Sequence, residues 1–258
     1  MIVFNASKAA CDFFTVVRKG EKRSAVVPYD NKDPELDSVL LPQPDGSPQP
    51  FISQWAVHVL KFQRKNVLVA MHHKTRYSMC FTNLKKGDFE GFLDEFYMRL
   101  LNNMFKQATT AKLIDDNGNN FSQLEDRYFD RHESALIIKR SNSSVIGTLN
   151  SLKLSLDSIL SDELDWPQDF DDASEIDSEL NEIPRSTKAK QDLFMPQDEF
   201  FSDFIGKYTD VSASQLNQFL HQSHELTQLV DPAEQQIQQR DLPSNVIQLA
   251  DYHPGLKS

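Results

Sequence analysis

The chain has 258 residues, room for one large domain or for a domain with an extension, and its 39% hydrophobic and 25% charged residues are a lean apolar content for a chain packed throughout. It has no run near the roughly 20 apolar residues that cross a bilayer, no basic flank followed by an apolar stretch at its start, and two cysteines without a Cys-x-x-Cys pair, so a membrane span, a secretory leader, a disulfide framework and a zinc knuckle are not expected, and a soluble cytoplasmic protein is. The formal charge of −11 is unevenly spread: residues 1–153 carry 21 Lys and Arg against 17 Asp and Glu, residues 154–184 carry 11 acids and no base, and residues 185–258 carry 6 bases against 10 acids.

In chain order, Ile2 to Phe4 reads as a strand and Asn5 or Ser7 as the cap of a helix bearing Ala10, Phe13 and Phe14. Residues 18–50 are proline-rich and read as a surface loop with at most a short strand at Ser24 to Pro28. Trp55 to Phe62, Val67 to His72 and Ser78 to Thr82 are β-rich runs split by polar turns, and they predict a three-stranded antiparallel meander covered on both faces. Asp88 to Lys106 is the clearest helix, with Phe89, Phe92, Leu93, Phe96, Leu100 and Met104 at steps of three and four. A turn at Asp115 to Gly118, a short helix over Phe121 to Arg131 and a strand over Ala135 to Lys139 follow, then a capped helix bearing Val145, Leu149, Leu152, Leu156 and Ile159. Beyond Leu160 the sequence is acid-rich and linker-like, with a short helix over Ser174 to Asn181. Amphipathic helices are expected over Asp198 to Tyr208 and Ser214 to Val230, and Asn245 to Leu249 could add as a strand to a sheet edge.

The fold expected is α+β: an antiparallel sheet with packed helices over residues 1–160, an acidic linker-like segment over 161–190, and a helical extension over 191–258. Four segments in this order resemble a bacterial family described only as domain of unknown function 6933. They are Met1 to Phe14; Trp55-Ala56-Val57-His58-Val59-Leu60, leading to Arg64-Lys65; Lys139-Arg140-Ser141-Asn142-Ser143-Ser144-Val145-Ile146-Gly147-Thr148-Leu149-Asn150; and Leu180-Asn181-Glu182-Ile183-Pro184. The resemblance spans about residues 1–186 and implies a boundary near residue 186; it implies no activity.

Several constellations are candidates for function. Lys139 and Arg140 lead from a strand into a helix for which Ser141, Asn142 and Ser143 offer caps. Two cations and unpaired backbone N–H groups there would meet a phosphate or carboxylate, with Lys139, Arg140, Ser141, Asn142, Ser144 and Asn150 as the candidate residues; ordinary capping, with Gly147 easing a close helix–strand approach and Asn150 bonding a neighbouring loop, is the plainer reading. Trp55, His58, Arg64 and His73 are candidates on the sheet. If Phe62 pairs with Val67, His58 and His73 become diagonal neighbours on one face, yet no third ligand is near in sequence and no metal or cofactor is expected. Lys61, Arg64, Lys65, Lys74, Arg76, Lys85 and Lys86 crowd the hairpin turns beside Trp55 and Tyr77, a weak nucleic-acid signature in a body this mildly basic. Phe200, Phe201, Phe204, Leu216, Phe219 and Leu220 form apolar clusters suited to docking on the body or on a partner protein. With no Gly-x-Ser-x-Gly and no glycine-rich phosphate loop, the leading expectation is a non-catalytic interaction or regulatory protein; a phosphate- or nucleotide-recognising protein using Lys139 to Asn150 is the alternative, and nucleic-acid binding by the basic hairpin the third.

Overall fold

The computed structural model describes residues 1–29, 52–62, 64–140, 143–161, 166–187 and 190–220. The chain separates into a compact unit, Met1–Ala213, and a second unit, Ser214–Ser258, of which residues 214–220 are described and helical. The segment Asn245 to Leu249 lies outside the described residues.

The first unit is α+β. Its strands are β1 (Ile2–Ala6), β2 (Thr15–Arg18), β3 (Glu21–Ser24), β4 (Ser53–Phe62), β5 (Lys65–His72), β6 (Ser78–Phe81) and β7 (Ala135–Lys139). Its helices are α1 (Lys8–Phe13), α2 (Phe89–Thr110), α3 (Gly118–Arg131), α4 (Ser143–Ile159), α5 (Phe170–Asn181) and α6 (Pro196–Tyr208). The main sheet has the order β6-β5-β4-β1-β7. The meander β4-β5-β6 is antiparallel as expected, while β1 lies between β4 and β7 and is parallel to both, so the sheet is mixed. All five residues of β1 are buried, because a strand with neighbours on both edges and helices over both faces has no solvent side.

Alternation along the strands sorts the core into two layers. On one face Ala56, Leu60 and Phe62 of β4, Val67, Val69 and Met71 of β5 and Cys80 of β6 pack against Val145, Leu149, Leu152 and Leu156 of α4 and Ile176 and Leu180 of α5. On the other face the layer is aromatic: Phe4 meets Phe92 and Phe96 of α2 edge-on at 5.1 Å each, and Trp55 meets Phe96 at 4.9 Å and Phe200 of α6 at 5.5 Å. Edge-on aromatic pairs add about 0.5–1.5 kcal/mol each beyond the area they bury.

Two expectations for this region are corrected. The segment after α1 is a hairpin and not only loop: Arg18 pairs with Glu21 across Lys19 and Gly20, both at positive φ (52° and 82°), the backbone a two-residue hairpin turn requires. The acidic stretch is not merely a solvated linker. Asp169 caps α5 by accepting from the Asp172 N–H at 3.0 Å, and the buried face of α5 carries Asp177 and Asn181, both fully buried. Their purpose is local. β6 is an edge strand whose outward N–H and C=O groups have no strand to meet. Asn181 accepts from the Ser78 N–H at 2.7 Å and donates to the Ser78 carbonyl at 2.8 Å. One turn earlier on α5, Asp177 accepts from the Cys80 N–H at 2.8 Å while Arg99 of α2 donates to the Cys80 carbonyl. Arg99 and Asp177 pair at 2.8 Å, so three side chains from two helices stand in for a missing strand.

Candidate functional site

A cavity opens where β4 begins and β5 ends. It encloses about 550 Å³ between Ile52, Ser53 and Gln54, the turn His72-His73-Lys74, the end of α3 and the exposed end of α6. Its apolar walls are Tyr128, Phe200, Phe204 and Tyr208, and its charged groups are Lys74, Arg131 and Lys207 against the single carboxylate of Asp203. Asp203 holds Lys207 at 2.5 Å and Lys74 at 3.5 Å; burial pushes its carboxyl up, and the two cations together outweigh that and hold it below its usual range. A cavity of this size with aromatic walls and a few convergent polar groups has the character of a small-molecule site.

The histidines around it are held neutral with defined tautomers. The Thr75 N–H donates to His72 Nδ1 at 3.4 Å and the Thr75 hydroxyl lies 2.9 Å from the same atom, so Nδ1 accepts and the ring proton sits on Nε2. The Met1 nitrogen lies 3.3 Å from His132 Nδ1, which leaves His132 Nε2–H to donate to Tyr208 Oη at 2.6 Å. Tyr208 then retains its own O–H as a donor, and burial pushes its ionisation well above the ordinary phenol range.

Burial holds His72 down to about 3 and His132 to about 4; His73, buried beside Arg76 and Arg140, is also held to about 4. The folded protein therefore stays unprotonated at these rings while the unfolded chain takes up protons near pH 6.5, so stability is intact above that value and is lost as pH falls from about 6.5 toward 4. Each ring contributes a slope of about 1.4 kcal/mol per pH unit. Asp177, raised by burial to about 6, and Glu95, raised by burial, oppose it at lower pH. The net expectation is a fall of about 1–3 kcal/mol per pH unit, read as the urea midpoint between pH 6.5 and 5; a midpoint that does not move would show the rings to be solvated.

The residues singled out in the sequence are placed as follows. Trp55 is fully buried, with its Nε1–H on Ser53 Oγ at 2.9 Å, and Tyr77 is buried and stacked on Phe200 at 4.6 Å, so neither is a base-stacking surface. Arg64 is exposed at φ 71° in the β4–β5 turn. That turn pairs Phe62 with Lys65 and not with Val67, which sets His58 opposite Val69. His73 instead bonds the Gln54 carbonyl at 2.9 Å, four residues from His58 along β4 and about 13 Å away at strand spacing. His58 meets Ser7 Oγ at 2.8 Å, a helix-cap contact, and among the described residues no group of three metal-binding side chains forms.

At the end of β7, Lys139 is exposed and the Arg140 guanidinium lies 5.6 Å from the Tyr29 ring, with Nη1 buried and without a hydrogen-bond partner among the described residues. Ser141 and Asn142 lie outside the described residues, as does the side chain of Ser144. Asn150 is exposed and Gly147 faces open space, so close packing is not what selects glycine there. Phe200, Phe201 and Phe204 are buried in the first unit's own core, so of the two surfaces considered for them it is the body that they cover: α6 spends its apolar face on Trp55, His72, Tyr77 and Tyr128. In the second unit Leu216 is buried and Phe219 and Leu220 are half-buried. Missed in the sequence were Tyr128, Asp203, Lys207 and Tyr208; the i, i+4 spacing of Asp203 and Lys207 was the available signal, but nothing local placed their helix over the sheet end.

Comparison with known proteins finds no match among curated proteins and none among solved structures. The family model described as Domain of unknown function (DUF6933) matches residues 32–199, which takes in β4 to β7, α2 to α5 and the first turn of α6, while β1 and α1 precede the matched range. Covering well over half of the chain and including the Asn181 that closes the sheet edge, this match shows that the chain belongs to the DUF6933 family.

Proposed function

We propose that this protein binds a small organic anion with an aromatic or aliphatic body in the cavity between the sheet end and α6. The carrying observation is the pairing of four aromatic walls with three cations against one carboxylate in about 550 Å³. The walls favour an apolar body, and Lys74, Lys207 and Arg131 favour a carboxylate or phosphate at the mouth. His72 Nε2–H and the Tyr208 hydroxyl supply uncharged donors that discriminate by position. This moves the anion reading away from Lys139 to Asn150. The alternative of a partner-binding regulator rests on the second unit, since the phenylalanines of α6 are already packed. We assign binding and no reaction.

Neither Cys11 nor Cys80 is in a disulfide, and among the described residues no helix is long and apolar enough to cross a membrane; both support a cytoplasmic setting.

The test is a calorimetric and thermal-shift panel of aromatic and aliphatic carboxylates and phosphate esters. At least one should bind at micromolar concentration and raise the melting temperature. Lys74→Ala with Lys207→Ala, both exposed side chains, should weaken it by roughly 10-fold, about 1.4 kcal/mol. A panel without a binder, or a double variant that binds equally well, overturns the assignment.

A further inference from the structure

A second cleft, sharing no residue with the cavity above, lies between the β2–β3 hairpin and the loop entering α2. It encloses about 450 Å³ and is lined by Phe14, Val16, Arg18, Arg23, Lys85, Lys86 and their neighbours, with Asp88 its one acid. The cations come from two segments more than sixty residues apart, and the backbone explains their meeting. Gly87 has φ +85°, its N–H bonds the Phe13 carbonyl at 3.0 Å, and a Cβ there would lie 2.6 Å from Val16 Cγ1. Only glycine lets the lysine loop close onto the hairpin base.

The charge in this cleft is not self-satisfied. Among the described residues Arg18, Lys85 and Lys86 have no carboxylate partner, and Arg23 has only the exposed Glu21 at 3.4 Å. Asp88 is already used as the cap of α2, accepting from the Gly91 N–H at 2.9 Å. Four like charges held together by a rigid turn repel one another, an arrangement that makes sense when a polyanion compensates it. Two guanidinium groups favour phosphoryl oxygens through their forked donors. Phe14 is buried, so the cleft presents no ring on which a base could stack.

We propose that this cleft binds successive phosphoryl groups, those of a polyphosphate chain or of a nucleic-acid backbone, without reading bases. The probes are inorganic tripolyphosphate and a fluorescent ten-nucleotide oligothymidylate, titrated at 50 and 200 mM NaCl, with poly-glutamate as the carboxylate control. Binding of either phosphate probe is expected, weakening roughly 10- to 50-fold between the two salt concentrations for three or four contacts. The Arg18→Gln, Lys85→Gln, Lys86→Gln variant, changed only at exposed side chains, should bind at least 10-fold more weakly with an unchanged melting temperature. Lys86→Glu alone should act in the same direction. Tripolyphosphate without the oligonucleotide identifies a nucleotide-type ligand, and the oligonucleotide identifies a strand. Absence of both, equal binding by the variants, or equal binding of poly-glutamate overturns the proposal, and the Lys74 and Lys207 variants should leave this binding untouched.

Discussion

Replacing Asp177 by alanine is expected to destabilise the protein by about 3–5 kcal/mol, the range for breaking a buried ion pair from one side. Asp177 is fully buried and accepts from Arg99 at 2.8 Å, from the Cys80 N–H at 2.8 Å and from Asn103 at 3.3 Å. Burial alone would keep it protonated, but the guanidinium and these donors hold its value to about 6, so it is ionised at neutral pH. Its removal leaves the Arg99 charge paired only with the partly exposed Glu95 at 2.8 Å, and orphans a strand N–H. Arg99→Met should also destabilise, by exposing the other half of the same problem. The double variant should cost less than the two single ones added, by about 0.5–3 kcal/mol, because the uncompensated charge vanishes while the unmet Cys80 groups remain. Urea unfolding of the four proteins measures this; strictly additive losses would mean that the pair is solvated and the edge of β6 is closed by something else.

Ending the chain at residue 186 is expected to abolish cooperative folding, whereas ending it at residue 213 should preserve it. The shorter chain lacks α6 and with it Phe200, Phe201, Phe204, Ile205 and Tyr208, all buried, Phe200 against Trp55 on the aromatic face of the sheet and Phe204 and Tyr208 against Tyr128 of α3. Truncating one buried phenylalanine costs about 3–5 kcal/mol. Three of them already match the whole stability of an ordinary domain, about 5–15 kcal/mol. Near-ultraviolet circular dichroism and a denaturant titration of residues 1–186, 1–213 and 1–258 discriminate. A folded 1–186 fragment would show that α6 is an accessory to the core, and would also remove the wall on which the proposed ligand cavity depends.

Local elements were legible in the sequence where one face of a segment repeats. The seven strand and helix stretches from Trp55 to Ile159 read from period alone match β4 to β7 and α2 to α4 within a few residues, because a half-buried strand or helix must place apolar groups at its own spacing. The β2–β3 hairpin was missed because its strands are mostly exposed and carry no apolar alternation; only the Lys19-Gly20 pair marked it. Asp177 shows the limit of composition. An acid-rich stretch reads as solvated, and no local feature distinguishes Asp177 and Asn181 from the acids beside them until an unpaired strand edge faces the helix. Register failed for a similar reason: the β4–β5 turn is two residues tighter than supposed, which preserves which face His58 and His73 occupy but carries them two rows apart.

Periodicity within a dozen residues was enough to read the α+β class, the order and type of most elements, and the apolar faces that are buried. Only the tertiary structure decided that β1 enters between β4 and β7, that the phenylalanines of α6 complete the core of their own unit, that Lys74, Asp203 and Lys207 ring one cavity, and that Arg18 and Lys86 share one cleft. Those outcomes depend on which distant surfaces cover each other most completely, a competition settled by the burial of the whole chain at once and written in no single segment.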